Sequence, residues 1–410
     1  MGKNLFFKGP EDVADHISKD EALTRLFEAW QPHGKTETVE LAESCGRVLA
    51  EDMYAIYNIP TVRASGMDGI AFNFDLIENG TDPADWKAGR EYARADTGDD
   101  FDDAYDTVVK IEDVTITAEG GVVFAPDLEI RRGMNIRGEG SMIKKGSLVA
   151  DRGTVLTAAD IAAIGMGGHD RVKVIAKPKV SFLPTGSELV PVGSELQRGQ
   201  NFDTNSIMVG QLLKEMGAEP VIYPPVKDDI GAMTEVFDKM IEDSDIVIIN
   251  AGSSKGSEDF GRKFVENGDV FLFHSVLAAP GRPLSMAVVK GKPVINMPGP
   301  AAAAFYVSEW AVKAAVSRFL GIKPAARETI EAVLTADLGM PPFMSLMKKL
   351  HITKQDGVYY AEPLDRETSG AAASLTATGM YINTYGEKGY SKGDKIKVQI
   401  IRGRETIDER

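Results

Sequence analysis

The sequence predicts a protein of several domains, with a central α/β domain and β-rich domains before and after it. First, short apolar runs such as residues 246–249 are followed at once by glycine, serine and carboxylate residues. Second, helical patterns separate these runs, which predicts strands paired in parallel through right-handed crossovers. Third, a chain of 410 residues is long enough for about two to four domains with a sizeable core.

The N-terminal part predicts a helical linker domain. Apolar residues at helical spacing define its first helix: Val13, Ile17, Leu23, Leu26 and Phe27. A second helix over residues 157–164 begins at the capping pattern Thr157-x-x-Asp160. We assign residues 1–55 together with 149–176 to this domain.

Residues 56–148 predict an inserted β domain, because they are rich in strand and turn signals and in glycine and aspartate. The segment Met67-Asp68-Gly69 stands directly before an alternating apolar run. By itself, an Asp-Gly pair at such a place is a turn into a strand. The acidic run 96–106 predicts a solvated loop around Thr97, since Phe101 occupies the position where a calcium loop starting at Asp96 requires glycine.

Residues 177–322 predict the α/β domain. Its strands are the apolar runs at residues 180–183, 220–223, 246–249 and 293–297. The carboxyl ends of parallel strands meet at one edge of a sheet, which is where open α/β sheets bind ligands. Residues that follow the runs are therefore expected to converge there: Thr185, Glu188, Asp228, Ser253, Ser254, Asp259 and Pro298.

The loop after the third of these runs, residues 250–259, carries two glycines followed by serines and ends in Asp259. Backbone N–H groups and hydroxyls in such a loop can turn toward a phosphate. The alternative is an ordinary Gly/Ser turn after a core strand. Beyond the α/β domain, short alternating strands at 381–384 and 395–400 predict a small C-terminal β domain over residues 323–410.

Several classes of protein are disfavoured. The chain has neither a dinucleotide-binding G-x-G-x-x-G after a strand nor a P-loop. Cys45 is the single cysteine and the five histidines lack ligand spacing, which argues against a Cys/His metal site. A net charge of −15 repels nucleic acid. Without a long apolar N-terminal stretch or membrane span, we expect a cytoplasmic protein with a reduced Cys45.

Six motifs occur in a characteristic order: Met67-Asp68-Gly69, Asn135-Ile136-Arg137, Thr185-Gly186-Ser187-Glu188-Leu189, Asp203-Thr204-Asn205-Ser206, the Gly-Ser loop ending in Asp259, and Pro280-Gly281-Arg282-Pro283. In this order they resemble the molybdopterin molybdenumtransferase family, which includes bacterial MoeA and the gephyrin E domain. The resemblance runs over nearly the whole chain. It implies that the central α/β domain is similar to MoaB and MogA, and that the C-terminal domain is a small β-barrel.

The resemblance also implies an activity: insertion of molybdate into adenylylated molybdopterin with release of AMP, assisted by Mg²⁺ or another divalent cation. By motif position, the catalytic carboxylates are Asp68, Glu188, Asp228 and Asp259, of which Asp68, Glu188 and Asp259 are the expected metal ligands. Residues expected to bind the anionic pterin are Thr97, Thr185, Gly186, Asn205, Gly252, Ser253, Ser254, Gly256, Arg282, Pro298 and Gly299. Family members form homodimers with a shared active site, and a molybdoenzyme or an adenylyltransferase is a possible partner.

The chain departs from the family pattern at several cationic positions. Ser275 and Ala279 stand where the family usually carries lysines, and Ser345 stands where it carries an arginine. Lys255 and Arg282 are candidates to replace this charge, and the arginine fork suits phosphate or molybdate oxygens.

Three functions stay open at this point. The three candidates are an active molybdenumtransferase, a paralogue that binds or delivers molybdopterin without insertion, and a scaffold. The kept carboxylates favour the first, and the lost cations favour the second.

Overall fold

The computed structural model describes residues 16–32, 34–226, 230–251, 264–365, 372–373, 375–383 and 386–409. The chain divides into two compact units. One consists of Thr36–Ile175, and the other combines Met1–Lys35 with Ala176–Arg410.

The first described helix, α1 (Lys19–Ala29), belongs to the second unit. It begins at Ser18, whose Oγ accepts a hydrogen bond of 3.1 Å from the Glu21 N–H. Arg25 donates a hydrogen bond of 3.1 Å to the carbonyl of Leu272, in a strand of the α/β sheet. Helix α1 therefore lies with the α/β domain, whereas the sequence grouped it with the later linker helix.

Eleven strands form the unit Thr36–Ile175: β1 (Thr36–Glu40), β2 (Met53–Tyr54), β3 (Ala64–Ser65), β4 (Gly69–Phe72), β5 (Tyr92–Ala95), β6 (Thr107–Lys110), β7 (Val114–Ile116), β8 (Val122–Phe124), β9 (Ile136–Arg137), β10 (Leu148–Ala150) and β11 (Arg171–Ile175). All of their pairings are antiparallel. The largest sheet has the order β5-β4-β6, with β4 leading directly out of the Asp68 turn.

Two α-helices lie in the same unit, α2 (Asp75–Glu78) and α3 (Ala158–Met166), with short 3-10 turns at Leu41–Glu43, Pro83–Asp85 and Ile111–Asp113. The capping box predicted for α3 is confirmed. Thr157 Oγ accepts from the Asp160 N–H, and the Asp160 carboxylate accepts from the Thr157 N–H at 2.8 Å. Ile164 then buries its side chain against Leu49 and Val172.

The α/β part of the second unit contains β12 (Lys179–Pro184), β13 (Leu189–Val190), β14 (Asn201–Phe202), β15 (Glu219–Ile222), β16 (Ile246–Ala251), β17 (Val270–His274), β18 (Ala278–Ala279), β19 (Ser285–Val289) and β20 (Lys292–Pro298). Its helices are α4 (Asn205–Glu215), α5 (Ile230–Asp243), α6 (Ala301–Val307) and α7 (Lys313–Leu320), and a π-helical turn (Ser308–Val312) joins the last two.

The six-stranded sheet has the order β15-β12-β16-β20-β19-β17. The four strands expected from the sequence, β12, β15, β16 and β20, pair in parallel as predicted. Strand β19 runs antiparallel to both of its neighbours. It forms a hairpin with β20, which turns at Lys290 and Gly291 with φ of +47° and +72°.

The C-terminal part contains β21 (Thr329–Leu334), β22 (Ser345–Gln355), β23 (Val358–Pro363), β24 (Gly379–Ile382), β25 (Lys395–Ile400) and β26 (Asp408–Glu409), with a 3-10 turn at Arg404–Thr406. The pairings run β22-β23-β21-β25-β24 and return from β24 to β22, which closes a five-stranded barrel around Leu350, Ile352 and Val398. The predicted barrel-like C-terminal domain is thus confirmed.

Strand β18 leaves the α/β part and pairs in parallel with β22 of the barrel, with Ala278 opposite Ser345. The loop that connects β17 and β19 of the α/β sheet therefore contacts the barrel through β18. Among the described residues, no helix has the length and apolarity that crossing a membrane requires.

Candidate functional site

The carboxyl ends of β12, β16 and β20 meet at one edge of the α/β sheet, as the sequence predicts. Thr185 follows β12 and donates its backbone N–H to the carbonyl of Asn250, near the end of β16, at 3.0 Å. Asn250 in turn pairs with Met297 of β20 in the parallel register. Thr185 is buried, with 6% of its surface exposed, so this edge is a packed floor and not a solvated loop.

Two asparagines connect the loops at this edge. Asn205, the first residue of α4, donates from Nδ2 to Asn250 Oδ1 at 2.8 Å and to the carbonyl of Gly299 at 2.6 Å. Asn250 donates from its own Nδ2 to the carbonyl of Pro298 at 2.9 Å. The network fixes Pro298 and Gly299 relative to α4 and β16. Three of the predicted pterin-binding residues are therefore brought together: Asn205, Pro298 and Gly299.

One atom of this network has no hydrogen-bond partner among the described residues. Asn205 Oδ1 is buried and accepts no hydrogen bond from any residue within the described ranges. A buried acceptor normally has a donor, because leaving it unpaired costs about 1–3 kcal/mol. The arrangement therefore offers one acceptor to a ligand N–H or O–H group.

Asn250 is a site residue that the sequence analysis did not select. It ends an otherwise apolar run, and only 3% of it is exposed. A polar side chain that completes a buried strand must find hydrogen-bond partners, and that requirement was the available signal.

Gly186 and Glu188 form the turn after β12. Gly186 has φ of +144°, and a Cβ atom there would lie 2.7 Å from both carboxylate oxygens of Glu188. The Gly186 N–H donates to the carbonyl of Val226 at 3.3 Å, which connects this turn to the segment after β15. Glycine is required for this backbone conformation, and the exposed Glu188 carboxylate lies directly over the turn.

Arg282 lies in the loop between β18 and β19 and hydrogen bonds with the imidazole of His16. Its carbonyl accepts from the hydroxyl of Ser275 at 3.2 Å. Ser275 is 7% exposed and has φ of +82°. Its buried hydroxyl therefore stabilises the loop through the bond to Arg282. Ala279 pairs with Leu346 of the barrel.

The Asp68 turn lies in the other compact unit, Thr36–Ile175. Asp68 Oδ1 accepts a hydrogen bond of 2.6 Å from the Thr97 N–H. This bond, together with one from the Thr97 side chain, lowers the pKa of the exposed Asp68 carboxyl. Two residues predicted for the site, Asp68 and Thr97, are therefore in contact, and the carboxylate is ionised at neutral pH.

Gly69 holds the backbone of this turn close to strand β6. A Cβ atom at Gly69 would lie 2.0 Å from the carbonyl oxygen of Val109, which no side chain could tolerate. The Ile111 N–H donates to the carbonyl of Asp68 at 2.8 Å on the same side. The close approach of the two backbones sets the direction in which Asp68 projects.

Some predicted residues lie outside the described ranges: Asp228, Gly252, Ser253, Ser254, Lys255, Gly256 and Asp259. Within those ranges, no group of three or more His, Cys, Asp and Glu side chains is arranged to hold a metal ion. Of the three expected metal ligands, Asp68 and Glu188 belong to different compact units, and the placement of Asp259 is not described.

Comparison with known families decides the relationship. Residues 17–168 match the model of the MoeA N-terminal region, domains I and II. Residues 184–318 match the model of a probable molybdopterin binding domain. This chain belongs to the molybdopterin molybdenumtransferase family.

Individual members of this family match nearly the whole chain. The chain is 28% identical to the molybdopterin molybdenumtransferase of Staphylococcus epidermidis, covering 96% of this chain and 97% of the relative. It is 29% identical to that of Bacillus subtilis, covering 94% of each. The crystal structure of the molybdopterin biosynthesis MoeA protein of Pyrococcus horikoshii superposes with a TM-score of 0.74 at 26% identity, over 94% of this chain and 100% of that one.

The two family matches fall on the two groups of residues described above. The MoeA N-terminal match contains Asp68 and Thr97, and the match to the probable molybdopterin binding domain runs from Pro184 through Gly299 and beyond. The asparagine network of this transferase family member therefore lies inside its probable molybdopterin binding domain.

Proposed function

We propose that this protein inserts molybdate into adenylylated molybdopterin and releases AMP during molybdenum cofactor biosynthesis. The observation that carries the proposal is the edge of the α/β sheet. There Thr185, Asn205, Asn250 and the Pro298–Gly299 loop are held by hydrogen bonds within the segment that matches a probable molybdopterin binding domain. The relatives that carry the transferase name match nearly the whole chain.

The reaction requires two changes in bonding. Hydrolysis of the phosphoanhydride consumes one water and breaks one P–O bond, which releases AMP and leaves the pterin phosphate. Molybdate forms two Mo–S bonds with the dithiolene, and one oxo group leaves as water with the two thiol protons. A protein can accelerate both steps chiefly by positioning the reactants and stabilising charge.

The residues of the chain have distinct roles in this proposal. The side-chain oxygen Oδ1 of Asn205 accepts a hydrogen bond from the pterin, because it is buried and has no partner within the described ranges. The backbone of Thr185 and Gly186 lines the turn beside it, and Glu188 supplies a carboxylate over that turn. Arg282 contributes a planar cation for phosphate or molybdate oxygens.

The Asp68 carboxylate is ionised and exposed, which suits either a divalent cation or the orientation of an attacking water. The described residues fit a metal ion only in part, since one Asp68 oxygen already accepts from Thr97 and no cluster of three ligands is found among them. Bound Mg²⁺ would neutralise charge on the phosphoanhydride.

We also propose a homodimer with a shared site and a cytoplasmic location. The homodimer rests on the family resemblance, in which the Asp68 domain of one subunit completes the pterin site of another, whereas the cytoplasmic location stays a prediction from the sequence. Sedimentation velocity of the purified protein tests the first part. A single species with the mass of one chain would contradict it.

A second function is favoured by one observation. Ser275 is buried against the backbone of Arg282, and Ala279 is a strand residue beside the barrel, so neither position supplies a cation. With less charge for an oxyanion, the protein would bind or deliver molybdopterin without inserting molybdate. An assay distinguishes the two functions: adenylylated molybdopterin, Mg²⁺ and molybdate are added to the protein together, and the released AMP is measured.

Prompt AMP release supports the transferase, whereas pterin binding without AMP release supports the delivery protein. Failure to bind the pterin contradicts both.

A further inference from the structure

Lys19, the first residue of α1, carries a partly buried charge that forms no ion pair with a carboxylate of the described residues. Its Nζ donates a hydrogen bond of 3.0 Å to the hydroxyl of Tyr306 and lies 5.3 Å from the centre of that ring. No Asp or Glu forms an ion pair with it within the described ranges. Burial lowers the pKa of the Lys19 ammonium to about 8, and the charge of the adjacent Asp20 opposes this only in part, so most of the ammonium is still charged at pH 7. A buried ammonium is unfavourable without a counter-charge.

Tyr306 does not provide that counter-charge. Its hydroxyl lies 2.9 Å from Ser345 Oγ, and Ser345 in turn donates to the carbonyl of Asn383 at 3.4 Å. The hydrogen bonds thus run in one direction, from Lys19 through two hydroxyls to a backbone oxygen. Burial raises the pKa of Tyr306 to about 12, so the phenol remains neutral. The ammonium has three donors, and Tyr306 accepts one of them.

A second cationic side chain, Arg282, lies on the loop beside the segment that leads into α1. The stretch before α1 runs beside the Arg282 loop, because the carbonyl of Ile17 accepts from the Leu277 N–H at 2.8 Å. His16 hydrogen bonds with Arg282 from this stretch. The Leu277 carbonyl accepts from the Ser345 N–H at 2.9 Å, which fixes the loop against the barrel next to Tyr306. Arg282 donates to His16 Nε2, so that imidazole is neutral, and the two cations on these neighbouring segments, Lys19 and Arg282, favour an anion.

We infer that Lys19 is a binding residue for a tetrahedral oxyanion, which it holds together with Arg282 beside the pterin edge. The inference rests on the proposed function, because that function requires the site to accept molybdate or a pterin phosphate. Both ligands have the same chemistry toward an ammonium: negatively charged oxygens that accept charge-assisted hydrogen bonds. The competing role is mechanical, in which Lys19 only fastens α1 to α6 through Tyr306.

Four variants of the full-length protein separate these roles. Lys19→Gln removes the charge, Lys19→Arg keeps it, and Tyr306→Phe removes the hydrogen bond to α1 while the ammonium stays. Lys323→Gln removes an exposed positive charge just after α7 and serves as the matched control. For each, calorimetric titration with sodium molybdate at pH 7 gives the affinity, and thermal unfolding gives the melting temperature.

We expect Lys19→Gln to weaken molybdate binding at least about tenfold, as loss of a charge-assisted contact would. Lys19→Arg, Tyr306→Phe and Lys323→Gln should each stay within about threefold of the unchanged protein. The inference fails if Lys19→Gln and Tyr306→Phe lower the melting temperature equally while binding of both molybdate and pterin stays unchanged.

A parallel titration with adenylylated molybdopterin identifies which oxyanion Lys19 holds. Loss of molybdate affinity alone assigns Lys19 to molybdate, and loss of pterin affinity alone assigns it to a phosphate. AMP release then separates this inference from the proposed function. If the unchanged protein binds molybdate through Lys19 but never releases AMP, the proposed function fails and the oxyanion role stands. If AMP is released and Lys19→Gln leaves its dependence on both ligands unchanged, the oxyanion role fails alone.

Discussion

Asn205 and Asn250 face each other across the edge of the α/β sheet, with the Nδ2 of Asn205 2.8 Å from the Oδ1 of Asn250. The contact joins the start of α4 to the end of β16, and the same two side chains bond to the carbonyls of Gly299 and Pro298. Because amides supply donors and acceptors without charge, this floor can be buried and still present one acceptor to a ligand.

Replacing Asn250 by alanine should destabilise the protein and remove pterin binding together. The substitution leaves the Nδ2 of Asn205 and the carbonyl of Pro298 each without one partner in a buried place, which costs about 1–3 kcal/mol for each group. Urea unfolding measures the stability, and Asn201→Ala, at an exposed position in β14, is the control. An unfolding midpoint equal to that of the control would mean that the network does not stabilise the edge.

Asp68→Asn should lower the rate of AMP release at least about tenfold with little change in melting temperature. Asparagine keeps an oxygen that can accept from the Thr97 N–H, so the turn is preserved, whereas the negative charge is lost. Removing one charge-stabilising group at a catalytic centre commonly costs about 10²–10³ in rate. Asp99→Asn, on the exposed loop nearby, is the control. Near-normal turnover in Asp68→Asn would remove this carboxylate from the site.

Gly186→Ala should lower both stability and activity. At φ of +144°, a side chain strains the backbone by about 1–3 kcal/mol, and the new methyl group displaces the Glu188 carboxylate. The double variant Gly186→Ala, Glu188→Ala separates the two effects. We expect it to recover only the part of the stability that the collision costs, because the backbone strain persists. A fully stable Gly186→Ala protein would contradict this account of the turn.

Lys349 makes stability depend on pH. The residue is 5% exposed, and its Nζ lies 3.3 Å from the centre of the Phe305 ring. Burial lowers its pKa from 10.5 to about 7, while Glu309 opposes this change and Arg327 adds to it. Between pH 7 and 10.5 the unfolded chain therefore binds more protons at this residue than the folded protein does. Its contribution to stability rises with pH across that window.

Lys349→Met tests this directly. The variant should be more stable than the unchanged protein at pH 6, and the difference should shrink by at least about 1 kcal/mol by pH 10. Free energies of unfolding from urea titrations at several pH values give the comparison, with Lys348→Met on the neighbouring position of β22 as the control. A difference that does not vary with pH would show that the amine is not neutralised on folding.

Much of the α/β domain could be predicted because its signals are local. An apolar run followed by polar turn residues identified β12, β15, β16 and β20, and the capping pattern at Thr157 identified α3. Strand β19 was missed because its direction depends on a hairpin turn with Lys290 at positive φ, a conformation that the residue type does not indicate.

The parts that could not be predicted depend on contacts between distant residues. Lys19 and Tyr306 are 287 positions apart in the chain, so no motif connects them. The family resemblance directs attention to Ser345 as a place where a cation is missing, yet Lys19 of α1 is connected to the Ser345 hydroxyl through Tyr306. Likewise, Asn250 looks like the end of a strand until its partners on α4 and β20 are known.

In the proposed function this protein releases AMP because it inserts molybdate, so withholding the molybdate should prevent AMP release. Purified protein is loaded with adenylylated molybdopterin and Mg²⁺, and AMP is followed by chromatography before and after molybdate is added. We predict little AMP before the addition and up to one AMP per bound pterin after it, with Asp68→Asn slow under the same conditions. Bound pterin that yields no AMP when molybdate is added, or AMP release at the same rate without molybdate, would contradict the proposed coupling of AMP release to molybdate insertion.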